Sequence, residues 1–168
     1  MPRFNRDFFA RPTLTVAQSL LGQKLVFGDK AGIITETEAY IGEDDPACHA
    51  SVGRTKRTQT MYEQAGTAYV YLIYGMYHCL NFVTENVDFP AAVLIRGVIA
   101  DDAAKNKLNG PGKVCRYFGI TRAQNGTDVT QSDSFYAEQT GLTPAFDATP
   151  RIGISKGTDK LWRFVVRG

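Results

Sequence analysis

Hydrophobic positions along the chain fall in short runs of strand character, broken by Gly, Pro and Asp. Thr15-Val-Ala-Gln18 fits a capping box and Gly22 fits the residue past a helix end, which predicts a helix over 15–21. Lys24–Phe27 reads as a strand, Gly28–Ala31 as its turn and Gly32–Tyr40 as the returning strand. Residues 42–66 carry Gly, Pro, Asp, Lys and Arg without periodicity and read as a long loop, a place where function often sits. Ala68–Tyr74 and Tyr77–Val83 have strand composition on either side of Gly75-Met76, which suits a two-residue type II′ hairpin. Ala91–Val98 is a further apolar strand. Asp101–Leu108 reads as a helix, Asn109-Gly-Pro-Gly112 breaks the chain, and Lys113–Phe118 reads as a second short helix. Residues 121–150 are polar and poorly patterned, and Arg151–Ser155 and Leu161–Arg167 look like closing strands. Strands in hairpins with few short helices predict an α+β fold: one domain over 1–168, a curved, mostly antiparallel sheet and a protruding hairpin.

The 168 residues are 43% hydrophobic and 21% charged, enough for a core and too apolar for wholesale disorder. A net charge of +2 is too mild to indicate a nucleic-acid partner by itself, so any such surface must be a local cluster. No apolar run is long enough to span a bilayer, and the N-terminal stretch has no secretory character. Cys48, Cys79 and Cys115 are odd in number and widely spaced, which predicts buried thiols in a reducing, intracellular compartment. Cys48, His49, His78 and Cys79 form adjacent pairs without chelating spacing, so no metal is expected.

Three segments carry candidate chemistry. In Thr35-Glu-Thr-Glu-Ala-Tyr40, strand alternation places Ile34, Glu36, Glu38 and Tyr40 on one face. That face is a pocket wall or a solvated edge. The hairpin holds Tyr69, Tyr71, Tyr74 and Tyr77. Tyr74 stands at its tip, where an aromatic serves either as a good strand former or as a wedge between base pairs. Basic residues gather at Arg54-Thr-Lys-Arg57, at Lys113 beside a helix start, and at Arg151, Lys156, Lys160, Arg163 and Arg167. They are phosphate contacts or ordinary surface charge. Arg96, inside the apolar strand Val93-Leu-Ile-Arg-Gly97, requires a partner, through either a structural ion pair or a catalytic contact.

Glu36-Thr-Glu-Ala-Tyr40 with His49, Gly66-Thr-Ala-Tyr-Val-Tyr-Leu-Ile-Tyr-Gly-Met-Tyr77, Asn81, Leu94-Ile-Arg-Gly97 and Asn109-Gly-Pro-Gly-Lys113 occur in an order that resembles the alkyladenine (3-methyladenine, alkylpurine) DNA glycosylase family. The resemblance extends from Leu20-Leu-Gly-Gln-Lys-Leu-Val26 to the closing Arg163–Gly168. It implies that Glu38 activates water, with Arg96 and the backbone carbonyl of Ile152 as further contacts to that water. Tyr40 would stack on one side of a flipped base, with His49 and Tyr71 on the other. Asn81 would obstruct the amino group of normal guanine, and Tyr74 would enter the minor groove. Lys113 and Arg54 are the expected phosphate contacts. His78 and Gly112 depart from the family pattern, the latter standing where serine is common.

The activity so implied is base-excision repair. Alkylated or deaminated purines such as 3-methyladenine, ethenoadenine and hypoxanthine would be hydrolysed from double-stranded DNA, with no cofactor. No lysine lies in the Glu36–Tyr40, hairpin or Leu94–Gly97 motifs to form a Schiff base, which predicts a monofunctional enzyme without lyase activity. A monomer, intracellular and DNA-associated, is expected, with no membrane partner. Two other readings stand beside it. Glu36 and Glu38, with Cα atoms about 6.6 Å apart, suit a two-carboxylate hydrolase of small nucleosides or sugars. A non-catalytic nucleic-acid-binding module would use the same fold.

Overall fold

The computed structural model describes residues 2–168. Among the described residues nine strands form one antiparallel sheet with three short α-helices: α1 (Arg6–Phe9), α2 (Thr13–Ser19), β1 (Lys24–Phe27), β2 (Lys30–Ile41), β3 (Ala68–Ile73), β4 (Tyr77–Val83), β5 (Ala91–Ala100), β6 (Lys107–Asn109), α3 (Pro111–Phe118), β7 (Phe135–Glu138), β8 (Phe146–Thr149) and β9 (Arg163–Val166). The α+β expectation therefore holds. The main strand order is β3-β4-β5-β2-β1-β7.

The sheet divides at its centre. One edge of β2 pairs with β1 over Lys30–Ile33 and then with β9 over Glu36–Glu38. Its neighbour β5 likewise pairs with β4 over Ala92–Leu94 and with β6 over Gly97–Ile99. Between these branches the β2–β5 register shifts twice, around Ile34–Thr37. A bulge bends a strand and re-aims its side chains. Here it reverses the phase of β2: Ile34, Thr37 and Ala39 all face the main core, Thr37 donating its hydroxyl to the Ala17 carbonyl at 2.9 Å. Glu36, Glu38 and Tyr40 share the opposite face. Ile34 does not share it, contrary to strict alternation.

The main core packs α1, α2 and α3 against one face of the sheet through Phe9, Val16, Leu20, Phe82, Ile95 and Phe118. A smaller core of Cys48, Met61, Tyr62, Tyr69 and Val83 lies under the long loop, which contains two 3₁₀ turns, His49–Val52 and Gln59–Tyr62. All three cysteines are free and buried. Burial pushes the Cys48 and Cys115 thiols up to about 12 and Cys79 to about 11, so they pack as small apolar groups.

Several predicted elements change. Helix α2 starts at Thr13, behind Pro12, and ends at Ser19. Thr15 is therefore inside the helix and does not cap it. Helix α3 starts at Pro111, because a proline needs no N–H in the first turn, and it stops at the left-handed Gly119. Asp101–Leu108 is not helical. The chain reverses through Lys105 (φ 51°), and Lys107–Asn109 returns along β5, whose pairing outweighs the helical preference of the Ala-Ala-Lys stretch. Arg151–Ser155 is not a strand, since the Ile152 N–H bonds a side chain instead of a ladder and Gly153 is left-handed. The hairpin turn is centred one residue earlier than predicted. Tyr74 (φ 51°) and Gly75 (φ 67°) are both left-handed, and the Met76 N–H donates to the Ile73 carbonyl at 3.1 Å. That matches the φ pattern of a type I′ turn, whereas type II′ has a positive φ at one residue. The elements α1, β7 and β8 are too short, or too polar on one side, to register as periodic.

Candidate active site

Register builds the site. Antiparallel partners share a face, so the pairs Tyr69↔Asn81, Asn81↔Leu94, Glu38↔Leu94 and Glu38↔Arg163 set Tyr69, Asn81, Leu94, Glu38 and Arg163 in one row across five strands. Tyr40 lies one pair along β2 from Glu38. Arg96 lies where the bulge deprives β5 of a β2 partner. Of these, Asn81, Leu94, Glu38, Tyr40 and Arg96 open into a cavity of about 720 Å³. Glu38, Tyr40, His49, Tyr71, Tyr74, Asn81, Arg96, Lys113 and Ile152 all line it; Arg54 does not.

Glu38 is 0% exposed. Its Oε1 accepts from the Tyr40 hydroxyl at 2.7 Å, and its Oε2 accepts from the Ile152 N–H at 2.8 Å. The Arg96 Nε lies 3.9 Å from that second oxygen. The carboxylate is thus fixed in orientation and faces a cation. Burial first, and the Glu38 carboxylate second, hold the Tyr40 phenol far above its ordinary value, so it remains a donor. Ile152 acts on Glu38 through its N–H; the sequence-based expectation concerned its carbonyl.

Glu36 is 6% exposed and binds differently. Its Oε1 accepts from Arg163 Nε at 2.5 Å and stands 3.1 Å from Arg96 Nε, an ion-pair distance at which the Arg96 N–H is not aimed for a hydrogen bond. Arg96 therefore has the structural partner its burial required, and it also reaches Glu38. Glu36 itself is absent from the cavity wall, so a two-carboxylate sugar hydrolase would lack its second acid there.

His49 and Tyr71 form one aromatic wall of the cavity. His49 and Tyr71 rings meet at 4.2 Å, and His49 Nδ1 is 3.2 Å from the Tyr69 hydroxyl. Burial, with Arg57 adding to it, lowers His49 to about 4, so its ring is neutral at pH 7. Asn81 is buried and donates to the Tyr69 carbonyl at 3.2 Å, which fixes its amide against the cavity. At the mouth, Tyr74 is 88% exposed.

The basic residues separate into two groups. Arg151 is fully buried in a two-pronged pair with Asp45, at 2.7 and 2.9 Å, and is no surface contact. Arg163 is bound to Glu36, Arg167 to Asp147 at 2.8 Å, and Arg54 to Asp88 at 2.5 Å. Lys113 has no carboxylate within ion-pairing distance among the described residues. Neither does Arg57, another cavity residue, whose guanidinium lies over Tyr71 and donates to the Leu72 carbonyl. Also among the described residues, His, Cys, Asp and Glu side chains do not gather in threes as metal ligands would.

Sequence reasoning missed Asp45 and Met61 and gave Tyr77 no role of its own. Tyr77 explains the departure at position 112. A Cβ on Gly112 would come within 2.9 Å of the Tyr77 ring, so serine there would require the ring to shift. Asp45 lay inside the unpatterned loop, where only its pairing with a residue 106 positions away reveals it.

The sequence is similar to known proteins over almost its whole length. The sequence profile described as methylpurine-DNA glycosylase matches residues 7–168. A protein of Rickettsia felis, provisionally named 3-methyladenine DNA glycosylase, is 57% identical over 96% of this chain and 91% of its own length. A protein of Sodalis glossinidius with the same provisional name is 58% identical over 95% of this chain and 94% of its own. With that profile spanning nearly every residue and relatives above half identity end to end, the chain belongs to the methylpurine-DNA glycosylase family.

Proposed function

We propose that this protein removes alkylated purines, 3-methyladenine among them, from double-stranded DNA by hydrolysis of the N-glycosidic bond after flipping the nucleotide into the cavity. The observation that carries this reading is the fully buried Glu38 carboxylate, held by the Tyr40 hydroxyl and the Ile152 N–H on the floor of an aromatic-walled cavity. A duplex hides the glycosidic bond from such a recessed group, so the nucleotide must leave the stack.

The chemistry requires few parts. As the C1′–N bond breaks, its electron pair leaves with the purine and positive charge develops on the sugar. The Glu38 carboxylate stabilises that charge and takes a proton from water, whose oxygen bonds to C1′. Arg96 fixes the water and the carboxylate from the other side. An alkylated purine that is already cationic departs neutral and requires no proton. Hypoxanthine or ethenoadenine departs as an anion unless protonated, so these neutral lesions need hydrogen bonds from the pocket. Tyr40 on one side, with His49 and Tyr71 on the other, stacks the flipped base. Asn81 meets the edge where normal guanine carries its amino group. Tyr74 fills the vacated stack from the minor groove, and Lys113 contacts a flanking phosphate. The Glu36–Tyr40, hairpin and Leu94–Gly97 motifs hold no lysine, which supports hydrolysis without strand cleavage by a monofunctional enzyme.

The test is incubation of the protein with duplexes carrying single 3-methyladenine, hypoxanthine or ethenoadenine, with release of free base and strand breaks followed separately. Release of the alkylated purine, leaving an intact abasic strand, is expected. Glu38→Gln keeps the shape and removes the proton acceptor, so release should fall by at least 100-fold while binding to the lesion duplex persists. Normal release by that variant would overturn the assignment of Glu38, and strand cleavage by the wild type would overturn the monofunctional reading.

A further inference from the structure

The Arg151 guanidinium lies over the Tyr40 ring, 4.8 Å from its centroid, and 5.1 Å from that of Trp162. Both Arg151 and Asp45 side chains are wholly buried. Arg151 also donates to the Ala39 carbonyl at 3.0 Å, and Asp45 accepts from the Ile41 and Ala47 N–H groups at 3.0 and 3.1 Å. Burial alone would raise the Asp45 carboxyl, but the bonds from Arg151 and from these two N–H groups outweigh it and hold the group below its ordinary value. The pair therefore joins the end of β2, the start of the loop that carries His49, and the residue preceding Ile152.

We infer that the Asp45–Arg151 ion pair is a positioning and specificity device, which sets Tyr40 in place and keeps the ring's hidden face electrically neutral so that its open face accepts a cationic purine. This rests on the proposed function and deepens it. An aromatic ring attracts a cation through the negative potential of its face. An uncompensated guanidinium behind Tyr40 would draw on the same electrons and repel a cationic base across the ring. At a separation of roughly 8 Å and an effective dielectric of about 20, that repulsion corresponds to a change on the order of tenfold or more in affinity. Asp45, bound directly to both terminal nitrogens of Arg151, cancels it. The same pair buried for stability alone would have no reason to distinguish cationic from neutral bases.

The two charges give opposite predictions. Asp45→Asn leaves the cation uncompensated. Arg151→Gln leaves the carboxylate alone. The double variant leaves neither. The readout is the ratio of single-turnover release, and of duplex affinity, for a cationic lesion (7-methylguanine) against a neutral one (hypoxanthine). The ratio should fall about tenfold in Asp45→Asn, rise in Arg151→Gln and return toward wild type in the double variant. If Asp45→Asn does not fold, the rise in Arg151→Gln still decides the matter. Loss of both lesions in equal proportion, in whichever variants fold, would reduce the pair to a structural anchor and overturn the inference. Failure of the wild type to release either base would instead overturn the functional reading.

Discussion

The site depends on charge placed residue by residue. Glu38 and Arg96 put one negative and one positive group in the cavity, where the proposed reaction requires them, while His49 on the aromatic side is held neutral by burial. A neutral ring beside a cationic base avoids a repulsion that a protonated His49 would introduce. The burial that keeps His49 neutral has a consequence for stability. The unfolded chain takes up the His49 proton near pH 6.5, whereas the folded chain resists it until about 4. Between these values the unfolded state binds more protons, so stability is highest above pH 6.5 and declines on acidification to about pH 4, by on the order of 3 kcal/mol for this group. Urea unfolding at pH 7.5 and 4.5 checks this. Wild type should lose more stability between the two pH values than His49→Gln, which lacks the titrating ring. Equal losses in the two proteins would show that His49 titrates normally.

At the scale of elements, the β3–β4 hairpin stands out because its tip holds a tyrosine in the left-handed region. A non-glycine residue there costs on the order of 1 kcal/mol, and the Tyr74 ring gains nothing by packing, being 88% exposed. An exposed aromatic held in this turn fits the proposed wedge. Tyr74→Ala should weaken binding to a lesion duplex at least tenfold, about 1.4 kcal/mol, while the thermal midpoint stays near that of wild type. Tyr74→Gly, which relieves the left-handed strain, should lose binding as fully, and retention of affinity in either variant would remove the wedge. Legibility in the sequence followed the same division. Lys24–Phe27 and Tyr77–Val83 were legible to the residue, because alternation and turn residues agree there. The face shared by Glu36, Glu38 and Tyr40 was legible too. The bulge that turns Ile34 to the core was not, since it arises from pairing with β5, and nothing local marks it. The same holds for Lys107–Asn109, where a helix-forming stretch yields to a strand partner, and for Arg151–Ser155, whose backbone serves Glu38.

At the scale of the whole molecule, the net charge of +2 conceals how the cations are distributed. Much of the basic C-terminal segment is internally balanced: Arg151 by Asp45, Arg163 by Glu36 and Arg167 by Asp147. Arg54 is likewise held by Asp88. Lys113 and Arg57, beside the cavity, have no acidic partner among the described residues and are free to meet a phosphate there. Binding to phosphates releases counterions, and each contact contributes about 0.9 to the slope of log affinity against log salt. A cation already neutralised by a carboxylate contributes less, because that pair must first be broken. Lys113→Ala should therefore reduce the salt slope by about 1 and weaken lesion and undamaged duplexes alike. Arg54→Ala should change the slope by much less, even though both residues stand in basic segments of the sequence. Fluorescence anisotropy between 50 and 200 mM salt, the range over which such contacts are resolved, separates the two. A larger slope change for Arg54 than for Lys113 would mean that Asp88 yields Arg54 to the phosphate and that the DNA runs over the long loop instead of past the start of α3.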